Sequence, residues 1–206
     1  LTSEDDWPRE ADTLVAPSWA RGRAGRILAE QFWLPRAARG HRILHGPAYV
    51  LPLAWRGAAV LTIYDLIALA YPQWAKSTNS LHYRFVVPRS VRRANVVIVP
   101  SAVVAEEVSE LLGVPEAKIR VLSLGVRDVF RKPPERREVE DFEQRYGLGR
   151  PYFAVVGNIE PKKNVRGIVR AFEIAAVQVP HDLVIAGRIG WRCREDLEAI
   201  KNSPVR

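Results

Sequence analysis

Five short apolar runs dominate the chain, and none of them alternates. Ala58–Ile63 (AAVLTI), Val96–Val99 (VVIV) and Tyr152–Val156 (YFAVV) are continuous stretches of β-branched and aliphatic residues, and Arg42–His45 (RILH) and Ile119–Leu122 (IRVL) are shorter versions. A half-exposed strand alternates apolar and polar residues, whereas a strand covered on both faces does not. Each run ends in turn or loop chemistry: Gly46-Pro47, Tyr64-Asp65, Pro100-Ser101, Ser123-Leu124-Gly125 and Gly157-Asn158. Helical patterns separate several of them. Leu81–Ala94 precedes the third run, and Ala102–Leu112 follows it, with Ser101 as N-cap and Gly113 as C-cap. Alternating strand and helix predicts an α/β fold with a parallel, doubly wound sheet.

Residues 127–149 (RDVFRKPPERREVEDFEQRYGLG) break this rhythm with two adjacent prolines and dense mixed charge. They predict a surface connector with one exposed helix around Glu135–Tyr146, and hence a domain boundary. The expected division is 1–126, a linker over 127–149, and 150–206. The last segment starts a second β/α series: strand Tyr152–Val156, loop Gly157–Asn164, helix Val165–Val177, strand His181–Ala186 and helix Arg194–Lys201. The helix carries an apolar stripe at Val165, Ile168, Val169, Phe172 and Ala176. Two strands seldom make a stable parallel sheet, so residues 150–206 are expected to be the less stable part. Residues 1–18 are polar, acidic and expected to be irregular. Residues 20–33 (ARGRAGRILAEQFW) predict a helix ending at Leu34-Pro35. It is either a domain helix with its apolar side inward, which is the favoured reading, or a membrane-surface helix flanked by basic residues.

The 206 residues hold one Cys, Cys193, which excludes a disulfide framework and a Cys-rich zinc site. No apolar run reaches the roughly 18 residues of a membrane helix. No basic–apolar–small leader opens the sequence, and the expected location is the cytoplasm, with peripheral contact to the inner membrane face left open. The four histidines (His41, His45, His82, His181) show no metal-ligand spacing. The net charge of +8 is spread evenly, +4 over residues 1–126 and +4 over 127–206. Such a field suits phosphorylated ligands, nucleic acid or an anionic surface without choosing among them. The even spread and the lack of an interleaved basic–aromatic stripe argue against a nucleic-acid-binding protein.

Gly157–Asn164 (GNIEPKKN) carries the most chemistry. A strand runs into a glycine, then into a loop with Lys162 and Lys163, then into a helix N-terminus. Ligands of doubly wound sheets sit outside the carboxyl ends of the strands. A helix N-terminus offers N–H groups and a positive dipole end to an anion, and two lysines add charge suited to a diphosphate. An ordinary solvated turn is the competing reading.

VVGNIEPKKNVRGIVRAF followed by LVIAGRIGW resembles the retaining glycosyltransferases of family 4, in their mannosyltransferase-like branch. ILHGPAYVLPL, LTIYDLIALAYP, RRANVVIVPSAVVAEEV and LLGVPEAKIRVLSLGV resemble further segments of that branch in the same order. The resemblance implies the GT-B architecture of two Rossmann-like domains, one for the acceptor and one for a nucleotide-diphospho-sugar. It implies transfer of a hexose to a glycan or lipid-linked hydroxyl with retention of configuration, in bacterial polysaccharide assembly. No cofactor or metal is expected, since positive side chains and helix dipoles neutralise the leaving diphosphate. Lys163 matches the lysine that contacts the diphosphate, Gly157 the glycine closing the first donor-domain strand, and Gly125 the glycine at the interdomain crossover. Asn158 stands where many relatives have an arginine, and Lys162 is expected to replace that charge in part. On the acceptor side Asp65 matches the aspartate of an H-D pair, while Tyr64 replaces its histidine; at the crossover, Leu124 replaces the asparagine before Gly125. The family's first strand with its glycine-rich loop is not found in the chain, and its E-x7-E motif does not occur in residues 150–206, so the expectation is an interior, inactive slice of a longer enzyme. A degenerate sugar-nucleotide or partner-binding module and a GT-B nucleotide-sugar epimerase are the alternatives.

Overall fold

The computed structural model describes residues 14–74 and 77–205. Irregular structure was expected over 1–18; of that stretch, 1–13 lie outside the described residues, 14–17 are irregular, and Ser18–Ala20 form a 3-10 turn. The chain divides into two compact units, residues 1–66 with 81–123 and residues 67–80 with 124–206. Segment 67–80, grouped by the sequence reading with the first domain, belongs here with the second unit.

The first unit is built on four parallel strands in the order β1-β2-β3-β4: β1 (Ile43–Gly46), β2 (Ala58–Thr62), β3 (Val96–Val99) and β4 (Ile119–Val121). The central strands supply the core. Ala59, Leu61, Val97 and Val99 are fully buried, as is Ile63 just past β2. β1 and β4 depart from the expectation of burial on both faces. Ile43 and Val121 are more than half exposed, and both belong to the strands at the two ends of the order.

A helix precedes β1, and it does not stop at Leu34-Pro35. It runs as α1 (Gly22–Leu28), a π turn (Ala29–Trp33) and α2 (Leu34–Ala37). Pro35 follows the π turn directly, within backbone that stays helical through Trp33 and Leu34. Ala29 is buried, but Leu28 and Phe32 are half exposed, so only part of the apolar side faces inward. The short helix α3 (Ile67–Ala70) has no counterpart in the sequence reading. α4 (Ser77–Arg93) starts four residues earlier than expected and contains Pro88. Its fully buried Ser90 hydroxyl accepts a hydrogen bond from Leu51 N at 3.0 Å. After it, Asn95 Oδ1 accepts from Ala59 N at 2.9 Å, fastening the start of β2. α5 (Ala102–Leu112) is bounded as expected: Ser101 Oγ accepts from Val104 N at the N-terminus and Gly113 adopts φ +64 at the C-terminus.

In the second unit, α6 (Arg136–Tyr146) is an exposed helix with a capping box between Glu135 and Glu138. β5 (Tyr152–Val156) and β6 (Asp182–Ala186) pair in parallel over five residues. α7 (Val165–Ala175) and α8 (Arg194–Asn202) cover one face. Val165, Val169, Ile159 and Cys193 form the core there, with Leu183, Ile185, Leu197 and Ile200 against it. The register places Ala154, Val156 and Ala186 on the opposite face, where all three are exposed. Burial of β5 on both faces, expected from YFAVV, is therefore not observed among the described residues. Buried Asp196 of α8 accepts a hydrogen bond from Arg166 N in the first turn of α7 at 3.0 Å, tying the two helices together.

Amides of β5 and β6 are expected to exchange faster than those of β2 and β3, since one face of the two-stranded sheet is open. Equal protection by hydrogen-exchange mass spectrometry would contradict this. Asp196→Ala removes a helix-end acceptor and is expected to cost about 1–2 kcal/mol in denaturant unfolding.

Candidate donor site

The ladder between β5 and β6 continues past both strands. Gly157 N donates to Ala186 O at 2.9 Å, Ile159 N to Arg188 O at 2.9 Å, and Gly190 N to Ile159 O at 3.0 Å. The two loops lie so close that residue 187 has to be glycine: a Cβ there would stand 1.9 Å from Gly157 O. At Gly190 it would stand 2.7 Å from Ile159 O. Loop 157–164 then closes into a 3-10 turn over Pro161–Lys163, with Lys163 N donating to Glu160 O at 2.9 Å. Asn164 follows in the left-handed region at φ +51 and starts α7.

This backbone sends the adjacent lysines to different surroundings. Lys162 Nζ lies 3.5 Å from Glu160 Oε1. Glu160 is buried, and its Oε2 has no partner among the described residues. Lys162 is thus partly neutralised. Lys163 is exposed and enters no ion pair among the described residues, and its Cε lies 3.7 Å from where a Cβ of Gly157 would be. The Lys163 side chain therefore runs back over the end of β5. Gly157 and Lys163 are brought together, Asn158 is exposed in the same loop, and Gly125 is exposed with open space around its Cα.

The N-terminus of α7 is less open than the sequence suggested. Arg166 N–H, one of the amides expected to face an anion, is taken by Asp196, and the Arg166 guanidinium pairs with Glu195. What sequence reasoning missed is Arg188. It is exposed on the loop after β6, and its carbonyl accepts from Ile159 in the lysine loop. The signal was present in Gly187-x-x-Gly190, two glycines demanded by close approach.

In the first unit, Tyr64 and Asp65 follow β2. Tyr64 is 38% exposed. Asp65 Oδ2 accepts a hydrogen bond from Tyr49 Oη at 3.3 Å. Burial, and then the Asp65 carboxylate, push the Tyr49 hydroxyl well above the usual phenol range. Among the described residues no group of three His, Cys, Asp or Glu side chains is placed to hold a metal ion. No described helix is long and apolar enough to cross a membrane.

Comparison with known proteins fits this arrangement. Over 166 residues the chain is 25% identical to the O-antigen chain mannosyltransferase B of Escherichia coli, covering 78% of this chain and 42% of that protein. The chain thus spans less than half the length of that relative. The crystal structure of a glycosyltransferase from Rickettsia africae matches 92% of this chain and 51% of its own, with a TM-score of 0.55 and 15% identity. It shares the α/β, GT-B-like fold of parallel Rossmann-type sheets. Residues 1–129 match the model of Glycosyltransferase Family 4, and the chain belongs to that family.

Proposed function

We propose that this chain belongs to a retaining hexosyltransferase that moves a sugar from a nucleotide-diphospho-sugar to a hydroxyl of a glycan or lipid-linked acceptor. In this reading the second unit binds the donor and the first unit the acceptor. The observation that carries it is the separation of the two lysines. Lys162 is held by Glu160, while Lys163 lies over Gly157 at the carboxyl end of β5 without a counter-charge among the described residues. An anion at that strand end meets one mobile ammonium. The exposed Arg188 on the paired loop supplies a second cation where Asn158 offers none. Together they stabilise the negative charge that gathers on the leaving diphosphate, which needs no metal from the protein. The name of the Escherichia coli relative supports a mannosyl donor, and the mild positive field of the chain suits approach to an anionic membrane surface.

A non-catalytic sugar-nucleotide-binding module is the second reading. Tyr64 in place of the histidine and the engagement of Asp65 by Tyr49 favour it. Sugar transfer from UDP- and GDP-hexoses by the whole protein that carries this chain separates the two readings, since a binding module gives affinity without turnover.

Lys163→Ala is expected to weaken UDP or GDP affinity about 10–100-fold, the worth of one charge-assisted contact. Lys162→Ala should change it by less than about threefold, and Glu160→Gln, which releases Lys162, should tighten it about 2–5-fold. Isothermal titration on the three variants checks this order. Wild-type affinity in Lys163→Ala would remove the donor-site assignment.

A further inference from the structure

Loop 187–192 of the second unit is held from two sides. On one side its backbone joins the lysine loop: Ile159 N donates to Arg188 O, Gly190 N donates to Ile159 O, and Ile159 and Ile189 form a parallel bridge. On the other side two adjacent side chains reach a segment 117 and 119 positions earlier in the chain. Trp191 Nε1 donates to Trp74 O at 3.1 Å, and Arg192 Nη1 donates to Gln73 O at 2.6 Å. Both acceptors lie in the 67–80 segment, which groups with this unit.

Both ends of this tie are shaped for it. α3 and the turn after it make residues 67–74 compact: Tyr71 N donates to Ile67 O at 2.8 Å, and Trp74 N to Tyr71 O at 2.9 Å. The Tyr71 and Trp74 rings stack at 4.6 Å with 22° between their planes, so backbone and ring contacts together fix the turn that carries the two acceptor carbonyls. On the loop, Arg192 adopts φ +50, a conformation that costs a non-glycine residue energy and persists only where its surroundings enforce it. The next residue, Cys193, is buried in the core with Ile159, Val165 and Val169, and its carbonyl accepts from Leu197 N at 2.9 Å in α8. Trp191 and Arg192 thus span the gap between two fixed points, Gly190 on the lysine loop and Cys193 in the core.

The character of the contact says what it is for. Tyr71 and Trp74 remain 42% and 39% exposed, so the tie buries little apolar area. Hydrogen bonds between groups this close to water add little to global stability, because water competes for both partners. What two donors on consecutive residues, aimed at two consecutive carbonyls, do specify is where the loop sits. Arg188 stands three residues before Trp191 on that loop. We propose that Trp191 and Arg192 are positioning residues of the candidate donor site: they touch no donor themselves, and they hold loop 187–190, with Arg188, beside the lysine loop by tying it to residues 67–74. The inference rests on the donor-site reading and adds a dependence to it. A nucleoside diphosphate that engages Arg188 favours the tied loop, and by linkage the tied loop favours the nucleotide to the same degree. Residues 67–74 begin two positions after Asp65, so the partner of the donor loop is the stretch of chain that leads out of the Tyr64-Asp65 pair.

Hydrogen-exchange mass spectrometry on the 206-residue protein, free and saturated with UDP or GDP, tests this. The variant combines Trp191→Phe with Arg192→Ala, which keeps an aromatic ring and removes both donors. In the free protein, exchange at 67–74 and 187–190 should be about three- to tenfold faster in the variant than in the wild type, with β5 and β6 changed by less than about twofold. In the wild type, nucleotide should slow exchange at 67–74 about two- to fivefold, and in the variant it should not. A tie that served stability alone would not pass nucleotide binding on to 67–74. Unchanged exchange at 187–190 in the free variant, or nucleotide binding to the wild type that leaves 67–74 unprotected, would overturn the proposal. The wild-type measurement needs no substitution, so it decides the matter even where the variant opens β5 and β6 as well. If neither nucleotide binds the wild type while the free variant behaves as expected, the tie stands and the donor-site reading falls. If nucleotide binds and 67–74 does not respond, the reverse holds.

Discussion

The approach of two glycines sets the geometry on which the candidate donor site depends. Gly187 lies against the carbonyl of Gly157 with no space for a Cβ. This closeness lets the β5–β6 ladder run on through Ile159 and Arg188, beyond where the side chains of a sheet would ordinarily splay apart. Loop 157–164 is therefore anchored by backbone hydrogen bonds to its neighbour instead of wandering over the surface. The 3-10 turn at Pro161–Lys163 then has a defined starting direction, and the two lysines inherit it. A methyl group at position 187 would separate the loops before it affected any catalytic side chain.

A buried carboxylate with one partner is the second constraint. Removing Glu160 from water is unfavourable unless its oxygens are satisfied, yet among the described residues only Oε1 has a charged neighbour, at 3.5 Å. The arrangement lowers the charge of the loop from two to about one and, in the proposed reading, leaves Lys163 as the group that meets the diphosphate. The division of labour between two identical neighbouring residues thus comes from a third residue, which by itself binds nothing.

Elements with strong local signals were legible in the sequence. Ser101 and Gly113 bounded α5 because a hydroxyl cap and a left-handed glycine act on their own helix, and YFAVV marked β5 to the residue. What could not be read depends on distant partners. Exposure of Ala154 and Val156 reflects how many helices cover the sheet, a property of the whole unit. The capture of Arg166 N–H by Asp196 joins residues thirty positions apart. The site followed the same pattern. Lys163 and Gly157 stood out through local order along the chain, whereas Arg188 and Arg192 came to notice only through pairing between loops and through a left-handed backbone at a bulky residue. Leu34-Pro35 misled because proline reads as a helix stop, whereas here the π turn just before it carries the helix past it.

The π turn at Ala29–Trp33 has its own bearing on a cavity beside it. In an uninterrupted α-helix, residues eight apart are rotated by about 80° from one another. A turn closed by i→i+5 bonds winds more slowly, and this brings Arg26 and Leu34 back toward the same azimuth. Arg26, Glu30 and Leu34 all line the cavity wall. The helix thereby presents three successive turns to one small volume, more closely in phase than the roughly 80° spread of regular winding. Deleting one residue from this turn would restore regular winding and leave the former Leu34 seven positions after Arg26, still within about 20° of its azimuth, so the slow turn accommodates an extra residue without dephasing the wall.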